Sequence, residues 1–205
     1  MVLSIVIPVY NEEERIVSLL EKLVSLSLPV FIKDIEIILV DDFSNDRSLQ
    51  RARDFAETNP VISIMSLPVN MGKGAAVKAG FAAAKGDVFL VQDADLELTP
   101  EDIPSMLITM RELNVQFING SRYMPGINRP VSSYSRYLAN RFFTFISSVL
   151  INVKLTDMAC GYKLIHRDLY KQLSLHENRF GFEAELILKA LRIKRNNVAE
   201  VPVRY

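Results

Sequence analysis

Short apolar runs alternate with segments of helical spacing through the first half of this sequence, and this alternation restricts the fold more than any other feature. The pattern predicts strands at residues 3–9, 35–40, 62–65 and 88–92, separated by helices. The strands are apolar throughout, so helices must cover both faces of the sheet. The sequence therefore predicts an α/β fold with an open, mostly parallel sheet flanked by helices. Ligands of such sheets bind at the carboxyl ends of the strands.

The composition indicates one domain with a substantial core and no global charge. The chain has 205 residues, of which 49% are hydrophobic, and this length suits a single domain over residues 1–205. Lys plus Arg and Asp plus Glu both total 24, so no overall field would recruit nucleic acid. The single cysteine, Cys160, is predicted to pack in the interior rather than to react.

The second half of the chain contains one long apolar segment, LANRFFTFISSVLINV, at residues 138–153. It is shorter than the roughly 20 residues needed to span a bilayer. We interpret it as a helix buried on more than one face. The alternatives are a helix that lies at a membrane surface, or against a membrane segment outside the chain. The other predicted elements are a helix after Thr99, a strand at 115–119, a loop at 156–163, a helix at 181–193 and a strand at 198–203.

Polar side chains collect where the predicted strands end. Asp93 and Asp95 follow the fourth strand, and Glu97 comes two residues later. Residues i and i+2 of an extended segment share a face, so the carboxylates of Asp93 and Asp95 are expected to point the same way. Such pairs bind Mg²⁺ or Mn²⁺ together with water and substrate phosphates, although acidic residues here are also ordinary helix caps and turn residues. The same edge of the sheet is predicted to hold Tyr10, Asn11, Glu12, Asp41 and Asp42.

Cationic residues lie in loops near this predicted edge. The segment NMGKG at 70–74 combines two glycines with Lys73, which suits contact with an anionic ligand. It is not a phosphate-binding P-loop, because Leu67 and Gly74 occupy the positions of the first Gly and the final Ser or Thr. The absence of GxGxxG after the first strand argues against a dinucleotide oxidoreductase. Three arginines of later segments are candidates either for phosphate contact or for ordinary surface positions: Arg122, Arg129 and Arg136.

Seven motifs, taken in order, resemble one family of enzymes. They are SIVIPVYNEEERI, IILVDDFSNDRS, LPVNMGKGAAVKAGFAAAKGD, VQDADLELTPEDI, INGSRY, TDMACGYKLIHRD and GFEAELILKA. Together they span nearly the whole chain and are similar to family 2 glycosyltransferases of GT-A fold, in particular dolichol-phosphate mannosyltransferases and polyprenyl-phosphate glycosyltransferases. The resemblance implies a GT-A type nucleotide-diphospho-sugar transferase fold and one glycosyltransferase catalytic domain over residues 1–205.

The resemblance also implies roles on the donor side of the site. The residues that would contact the base and ribose of a nucleotide-sugar are Pro8, Tyr10, Glu12 and Asp41. Lys73 would lie in the loop near the same substrate. Asp93 and Asp95 would form the DAD motif, with Asp95 the principal ligand of Mg²⁺ or Mn²⁺ and Glu97 within reach of the metal.

Roles on the acceptor side follow from the same resemblance. Arg122 and Arg136 would hold phosphates of donor or acceptor, and Asp157 with Lys163 would lie beside the acceptor. The residues expected to act in catalysis are Asp93, Asp95, Arg136 and Asp157. Two positions depart from the family pattern, because Phe43 and Arg47 replace glycines of its DGSxDG segment. Both departures lie in the loop expected on the nucleotide side.

The implied reaction is transfer of a hexose, with inversion, from a donor of the GDP-mannose or UDP-glucose type to a polyprenyl or dolichyl phosphate. The alternatives are a family 2 enzyme that acts on a hydroxyl acceptor, such as a glycan or a small molecule, and a non-catalytic module that binds nucleotide-sugars. The implied location is the cytoplasmic side of a membrane, reached by peripheral binding, a membrane-anchored partner or a segment absent from this chain. AEVPVRY resembles a strand after which the subgroup continues, so we expect a domain truncated at its C-terminus.

Overall fold

The computed structural model describes residues 1–124, 133–179, 181–193 and 197–205. The strands in these ranges are β1 (Val2–Val9), β2 (Asp34–Asp41), β3 (Ile62–Ser66), β4 (Val88–Val91), β5 (Phe117–Ser121), β6 (Lys163–His166) and β7 (Val198–Pro202). The helices are α1 (Ile16–Val24), α2 (Ser48–Ala56), α3 (Lys73–Ala83), α4 (Ile103–Glu112), α5 (Tyr134–Ile151), α6 (Arg167–Tyr170) and α7 (Phe182–Ile193).

The strands form one seven-stranded sheet in the order β3-β2-β1-β4-β6-β5-β7. Neighbouring strands are parallel except at β6, which runs antiparallel to both β4 and β5. The predicted open, mostly parallel α/β sheet with flanking helices is therefore confirmed. The carboxyl ends of β1, β2 and β4 lie at one edge, as the parallel pairing requires.

Helices bury an apolar core on each face of the sheet. Leu20 of α1 and Met106 of α4 belong to the core on one face, whereas Phe81 of α3 and Phe182 of α7 belong to the core on the other. The interior strand β1 contributes side chains to both cores, because successive side chains of a strand point to opposite faces. Val6 thus lies in the second core while its neighbours in β1 lie in the first.

Helix α5 contradicts the expectation of a helix buried on more than one face. Its buried side chains are Thr144 and Ser147, and its large apolar side chains, up to Leu150 at 78% exposure, face outward. The protein-facing residues are polar and hydrogen-bonded: Oγ1 of Thr144 accepts from the amide of Met158 at 3.2 Å. Among the described residues, no helix has both the length and the hydropathy that a membrane span needs.

Strand β6 was not predicted, since four residues that begin with a lysine carry little strand signal. Its antiparallel pairing sets Lys163 opposite Val91, the last residue of β4. The predicted loop at 156–163 is thereby brought beside the residues that follow β4. Strand β5 begins two residues later than predicted, because the amide of Val115 donates to the carbonyl of Met110 at 3.1 Å and closes the end of α4.

Candidate active site

A cavity of about 370 Å³ opens at the carboxyl ends of β1 and β4. The residues that line it are Pro8, Val9, Tyr10, Glu12, Asp42, Lys73, Asp93, Ala94 and Asp95. Six of them are residues to which the family resemblance gave a role: Pro8, Tyr10, Glu12, Lys73, Asp93 and Asp95. The structure therefore brings most of the predicted donor-side residues together, while their individual roles stay predictions.

The two aspartates of the DAD motif reach this cavity through a turn. The extended segment expected after the fourth strand is absent: β4 ends at Val91, and a turn begins at Ala94. Leu96 adopts a left-handed backbone conformation with φ 59°, and the amide of Glu97 donates to Oδ1 of Asp95 at 3.0 Å. The turn keeps both carboxylates at one cavity although they do not share the face of a strand.

Buried groups beneath the turn hold its shape. The amide nitrogen of the Gln92 side chain donates to the carbonyls of Asp93 at 3.0 Å and Leu98 at 3.2 Å. The Gln92 side-chain oxygen accepts from the hydroxyl of Tyr162 at 2.6 Å. A Cβ atom at Gly161 would lie 2.0 Å from Oδ2 of Asp93, so a larger residue would collide with that carboxylate. Sequence reasoning missed this support, because TDMACGYK comes far later in the chain than the DAD motif.

Lys73 is delivered to the cavity by a constrained turn. The carboxylate of Asp42 accepts hydrogen bonds from the amides of Met71 at 2.7 Å and Gly72 at 2.8 Å. Gly72 has φ 97°, which L side chains rarely adopt, and α3 begins at the next residue. The sequence placed both Asp41 and Asp42 at this edge but gave a substrate role to Asp41. Asp42 is the one that lines the cavity.

Opposite charges are packed closely in the cavity wall. The Lys73 ammonium lies 2.7 Å from Oδ1 of Asp93 and 2.6 Å from Oε1 of Glu183. Burial alone would lower the pKa of Lys73, but the charges of Asp93 and Glu183 raise it above the ordinary value. Burial raises the pKa of Asp95; the hydrogen bond from the Glu97 amide opposes this shift, and the charge of Asp93 adds to it. Sequence reasoning did not select Glu183, whose one signal was its place in the GFEAELILKA motif.

The chemistry of these carboxylates suits a divalent cation. Asp93 and Asp95 present oxygen ligands to one cavity. The pKa of Asp95 is raised first by burial and then by the charges of neighbouring carboxylates, Asp93 among them. Within the described ranges, no group of three or more His, Cys, Asp or Glu side chains could hold a metal by itself. Two carboxylates are enough for Mg²⁺ or Mn²⁺, which complete their shells with water and substrate phosphates. Glu97 is exposed, and its role as a further ligand stays a prediction.

A second polar cluster surrounds Asp157, which is fully buried. Arg122 donates to its carboxylate from Nε at 2.7 Å and from Nη2 at 3.1 Å, and Asn140 of α5 donates at 2.8 Å. Burial alone would raise the pKa of Asp157, but the hydrogen bonds and charge of Arg122 lower it. The two predicted acceptor-side residues are thus joined in one ion pair, with α5 attached to it.

Lys163 lies in the interior, with no exposed surface. Its ammonium donates to the side-chain oxygen of Asn119 and, at 3.2 Å, to the carbonyl of Met158, and burial lowers its pKa. These contacts hold the TDMACGYK loop against β5, and a contact with acceptor stays a prediction. Cys160 is also buried, and burial raises the pKa of its thiol to about 12. The predicted packing role of Cys160 is confirmed.

Arg136 is not among the residues that line the cavity. Arg136 is exposed in the first turn of α5, so its phosphate contact stays a prediction, and Arg129 falls outside the described residues. Tyr205 lies between the two clusters: its ring centroid lies 5.2 Å from the guanidinium carbon of Arg122, and the Glu97 carboxylate is near enough to its hydroxyl to affect its pKa. Burial and this carboxylate raise the pKa of Tyr205.

Residues 4–174 match the sequence profile of the family described as Glycosyl transferase family 2. The chain belongs to this family. The seven motifs quoted above therefore identified the family correctly. All residues that line the cavity lie within the matched range, whereas Glu183, which pairs with Lys73 beside the cavity, lies outside it.

Several relatives are named for sugar transfer involving lipid phosphates. A dolichyl-phosphate beta-glucosyltransferase of Trichomonas vaginalis is 31% identical over 98% of this chain and 65% of its own length. A dolichol-phosphate mannosyltransferase of Pyrococcus furiosus is 28% identical over 100% of this chain and 56% of its own length. A dodecaprenyl-phosphate galacturonate synthase of Rhizobium johnstonii is 31% identical over 84% of this chain and 50% of its own length. The chain thus spans between half and two thirds of the length of these relatives.

Solved structures show the same fold. The glucosyl-3-phosphoglycerate synthase from Mycobacterium tuberculosis, in complex with Mn²⁺, UDP-glucose and phosphoglyceric acid, superposes with a TM-score of 0.76 at 21% identity. The match covers 98% of this chain and 69% of that one. The predicted GT-A fold of this family 2 glycosyltransferase is confirmed.

Proposed function

We propose that this family 2 glycosyltransferase transfers a hexose, with inversion, from a nucleoside-diphosphate sugar of the GDP-mannose or UDP-glucose type to a polyprenyl or dolichyl phosphate. The observation that carries the proposal is the cavity where the carboxylates of Asp93 and Asp95 meet the ammonium of Lys73. The names of relatives that align with 84% to 100% of the chain support the lipid-phosphate acceptor.

The cavity offers separate surfaces for the parts of such a donor. Pro8, Tyr10 and Glu12 line the side toward β1, where a base and ribose would bind. Mg²⁺ or Mn²⁺ held by Asp93 and Asp95 would neutralise charge on the departing diphosphate. The solved relative that contains Mn²⁺ with UDP-glucose is consistent with this arrangement, since it has the same fold.

The acceptor chemistry decides what the protein must supply. An acceptor phosphate oxygen would attack the anomeric carbon while the bond to the diphosphate breaks and its electron pair leaves with the diphosphate. A phosphate monoester has its second pKa near 6, so it is largely ionised at neutral pH and needs no strong general base. Asp157, whose carboxylate is engaged by Arg122 and Asn140, would accordingly orient Arg122 rather than accept a proton. Lys73 would stabilise the negative charge that develops beside it.

We also propose that α5 rests on the membrane surface that holds the lipid acceptor. The helix carries Arg136 and Arg141 but no acidic residue. Its outward side chains include Phe142, Phe145 and Leu150, which are exposed at 60%, 67% and 78%. Basic residues combined with an exposed aromatic and aliphatic surface are typical of helices that lie in a membrane interface. The location proposed is peripheral, on the cytoplasmic side.

A transfer assay with the full chain tests the catalytic proposal. Radiolabelled UDP-glucose or GDP-mannose would be supplied with Mn²⁺ and either a polyprenyl phosphate or a hydroxyl acceptor. We expect label in the lipid phosphate product, and a loss of about a hundredfold in Asp95→Asn, whose partly exposed carboxylate contributes little to packing. Full activity of Asp95→Asn would contradict the assignment. Label only in the hydroxyl acceptor would favour the first alternative, and donor binding without turnover would favour a non-catalytic module.

A further inference from the structure

Lys73 bridges two carboxylates that belong to different parts of the fold. Its ammonium lies 2.7 Å from Oδ1 of Asp93, in the loop after β4, and 2.6 Å from Oε1 of Glu183, in the first turn of α7. The three side chains are 31%, 21% and 13% exposed in the order Lys73, Asp93, Glu183. The Lys73 ammonium therefore forms ion pairs with two carboxylates, one in the cavity lining and one beside it.

The Lys73 and Glu183 pair lies at a junction where the start of α3 packs closely against the segment before α7. A Cβ atom at Gly74 would lie 2.9 Å from the carbonyl carbon of Asn178, so the backbones touch. The amide of Ala75 donates to the carbonyl of Asn178 at 3.2 Å. Asp93 comes from a separate loop across the cavity wall. The junction thus holds Lys73 close to Glu183 whether or not Asp93 is available to it.

A divalent cation at the two aspartates would compete with Lys73. It would need lone pairs of Asp93 that now face the ammonium, and its charge has the same sign as that of Lys73. Binding of the metal would therefore weaken the contact between Lys73 and Asp93. Glu183 is the second carboxylate with which the ammonium can stay paired at the wall of the cavity.

We propose that Glu183 is a positioning residue that holds Lys73 so that Asp93 is free to bind the metal. The inference rests on the metal site of the proposed function and adds a residue to it. Without the Glu183 carboxylate, the ammonium of Lys73 pairs with Asp93 alone and competes more strongly with the cation. The effect of Glu183 on metal affinity is therefore exerted through Lys73.

A double-mutant cycle on Mn²⁺ affinity tests this dependence. Free Mn²⁺ would be measured by electron paramagnetic resonance in titrations of the nucleotide-free full chain, with circular dichroism to verify folding. We expect Glu183→Gln to weaken Mn²⁺ binding about tenfold and Lys73→Met to strengthen it. Glu177→Gln removes the same charge from an exposed side chain near the start of α7 and serves as the matched control. In the Lys73→Met background, Glu183→Gln should have no larger effect than Glu177→Gln.

Each other outcome overturns the inference in a recognisable way. If Glu183→Gln weakens binding equally with and without Lys73, the effect is a through-space charge effect and Glu183 does not position the lysine. If Glu183→Gln behaves like Glu177→Gln in the wild-type background, Glu183 has no role in metal binding. Absence of Mn²⁺ binding by the wild type would overturn both the metal site and this inference. If the protein transfers sugar to the lipid phosphate but the effects of Lys73→Met and Glu183→Gln on Mn²⁺ affinity are additive, the proposed function stands. Only the role of Glu183 is then rejected.

Discussion

Asp93 is constrained on both sides of its carboxylate, and this determines how the cavity can use it. Oδ1 faces the ammonium of Lys73 at 2.7 Å. Oδ2 lies against Gly161, where even a Cβ atom would come within 2.0 Å, and the Asp93 carbonyl accepts from the side chain of Gln92. Contacts with Lys73 and with the backbone at Gly161, two segments distant in sequence, therefore set the direction of the carboxylate.

Gly161→Ala is expected to damage the site more than the fold. The added methyl group would collide with Oδ2 of Asp93 and turn that carboxylate away from the cavity. We predict a fall of about tenfold to a hundredfold in Mn²⁺ affinity, in line with losses at groups that orient metal ligands. Gly181→Ala is the matched control, since the atoms nearest to its methyl group would belong to the flexible side chain of Glu177, at 3.1 Å. Equal Mn²⁺ affinity in the two variants would show that Gly161 does not orient Asp93.

Local signals explain which site residues could be predicted. Asp93, Asp95 and Lys73 stand next to strand ends or glycines, so their place at the edge of the sheet followed from the pattern. Glu183 and Gly161 act on groups far away in sequence, and only the folded structure brings them there. Motif resemblance marked both segments without indicating what either residue contacts.

The ion pair of Asp157 with Arg122 should make stability depend on pH. Their pairing outweighs burial and lowers the pKa of Asp157 below its ordinary value of 3.8. A carboxyl group with a lowered folded pKa stabilises the fold fully above its unfolded pKa and loses this contribution as the pH falls through the folded value. We predict that Asp157→Asn lowers the free energy of unfolding at pH 7 by about 2 to 4 kcal/mol. The difference from wild type should shrink below about pH 4.

Urea denaturation of both proteins between pH 7 and pH 3 would measure this difference. Glu112→Gln, which changes an exposed carboxylate at the end of α4, should shift stability by less than about 0.5 kcal/mol. A constant difference between Asp157→Asn and wild type across the pH range would mean that the loss comes from packing rather than from the charge.

Among the elements, α5 shows why mean hydropathy misleads. The segment was expected to be buried because it is rich in phenylalanine and aliphatic residues. Its protein-facing side instead uses Asn140, Thr144 and Ser148, which bind the carboxylate of Asp157 and backbone amides of the loop at 153–158. The polar side chains of α5 are hydrogen-bonded to the rest of the protein, and its large apolar side chains are exposed. Composition gives the apolar content of a helix but not which of its faces packs against the protein.

Val149→Glu in α5 should weaken binding to anionic lipid vesicles. Val149 is 63% exposed, and the charge would have to enter the interface that its side chain is proposed to occupy. Loss of one buried aliphatic side chain corresponds to about tenfold in vesicle affinity, measured by co-sedimentation. Ile108→Glu is the matched control, because Ile108 is 40% exposed on α4. Equal vesicle binding by both variants would show that α5 does not contact the membrane.

The whole molecule consists of a predictable half and a half that depends on long-range pairing. Strands β1 to β4 and their parallel pairing follow from local alternation of strand and helix, and their bounds were predicted to within one residue. The remaining strands are ordered β6-β5-β7, where β6 is antiparallel and β7 pairs with β5 across about 80 residues. Nothing local specifies such pairings. The cavity nevertheless depends on both halves, since Gly161 beside β6 backs the aspartate that follows β4.

Binding of the donor nucleotide should stabilise the molecule as a unit, because the cavity joins segments from β1, β2, α3 and β4. A ligand present at 100 times its dissociation constant adds about 2.7 kcal/mol, which corresponds to a rise in Tm of roughly 5 to 10 °C for a domain of this size. We predict such a rise for UDP or GDP with Mn²⁺, measured by differential scanning fluorimetry, and the nucleotide that produces it identifies the donor class. Asp95→Asn should lose most of the shift at equal concentrations. A shift that Asp95→Asn retains in full, or that needs no Mn²⁺, would show that the nucleotide binds without the metal site.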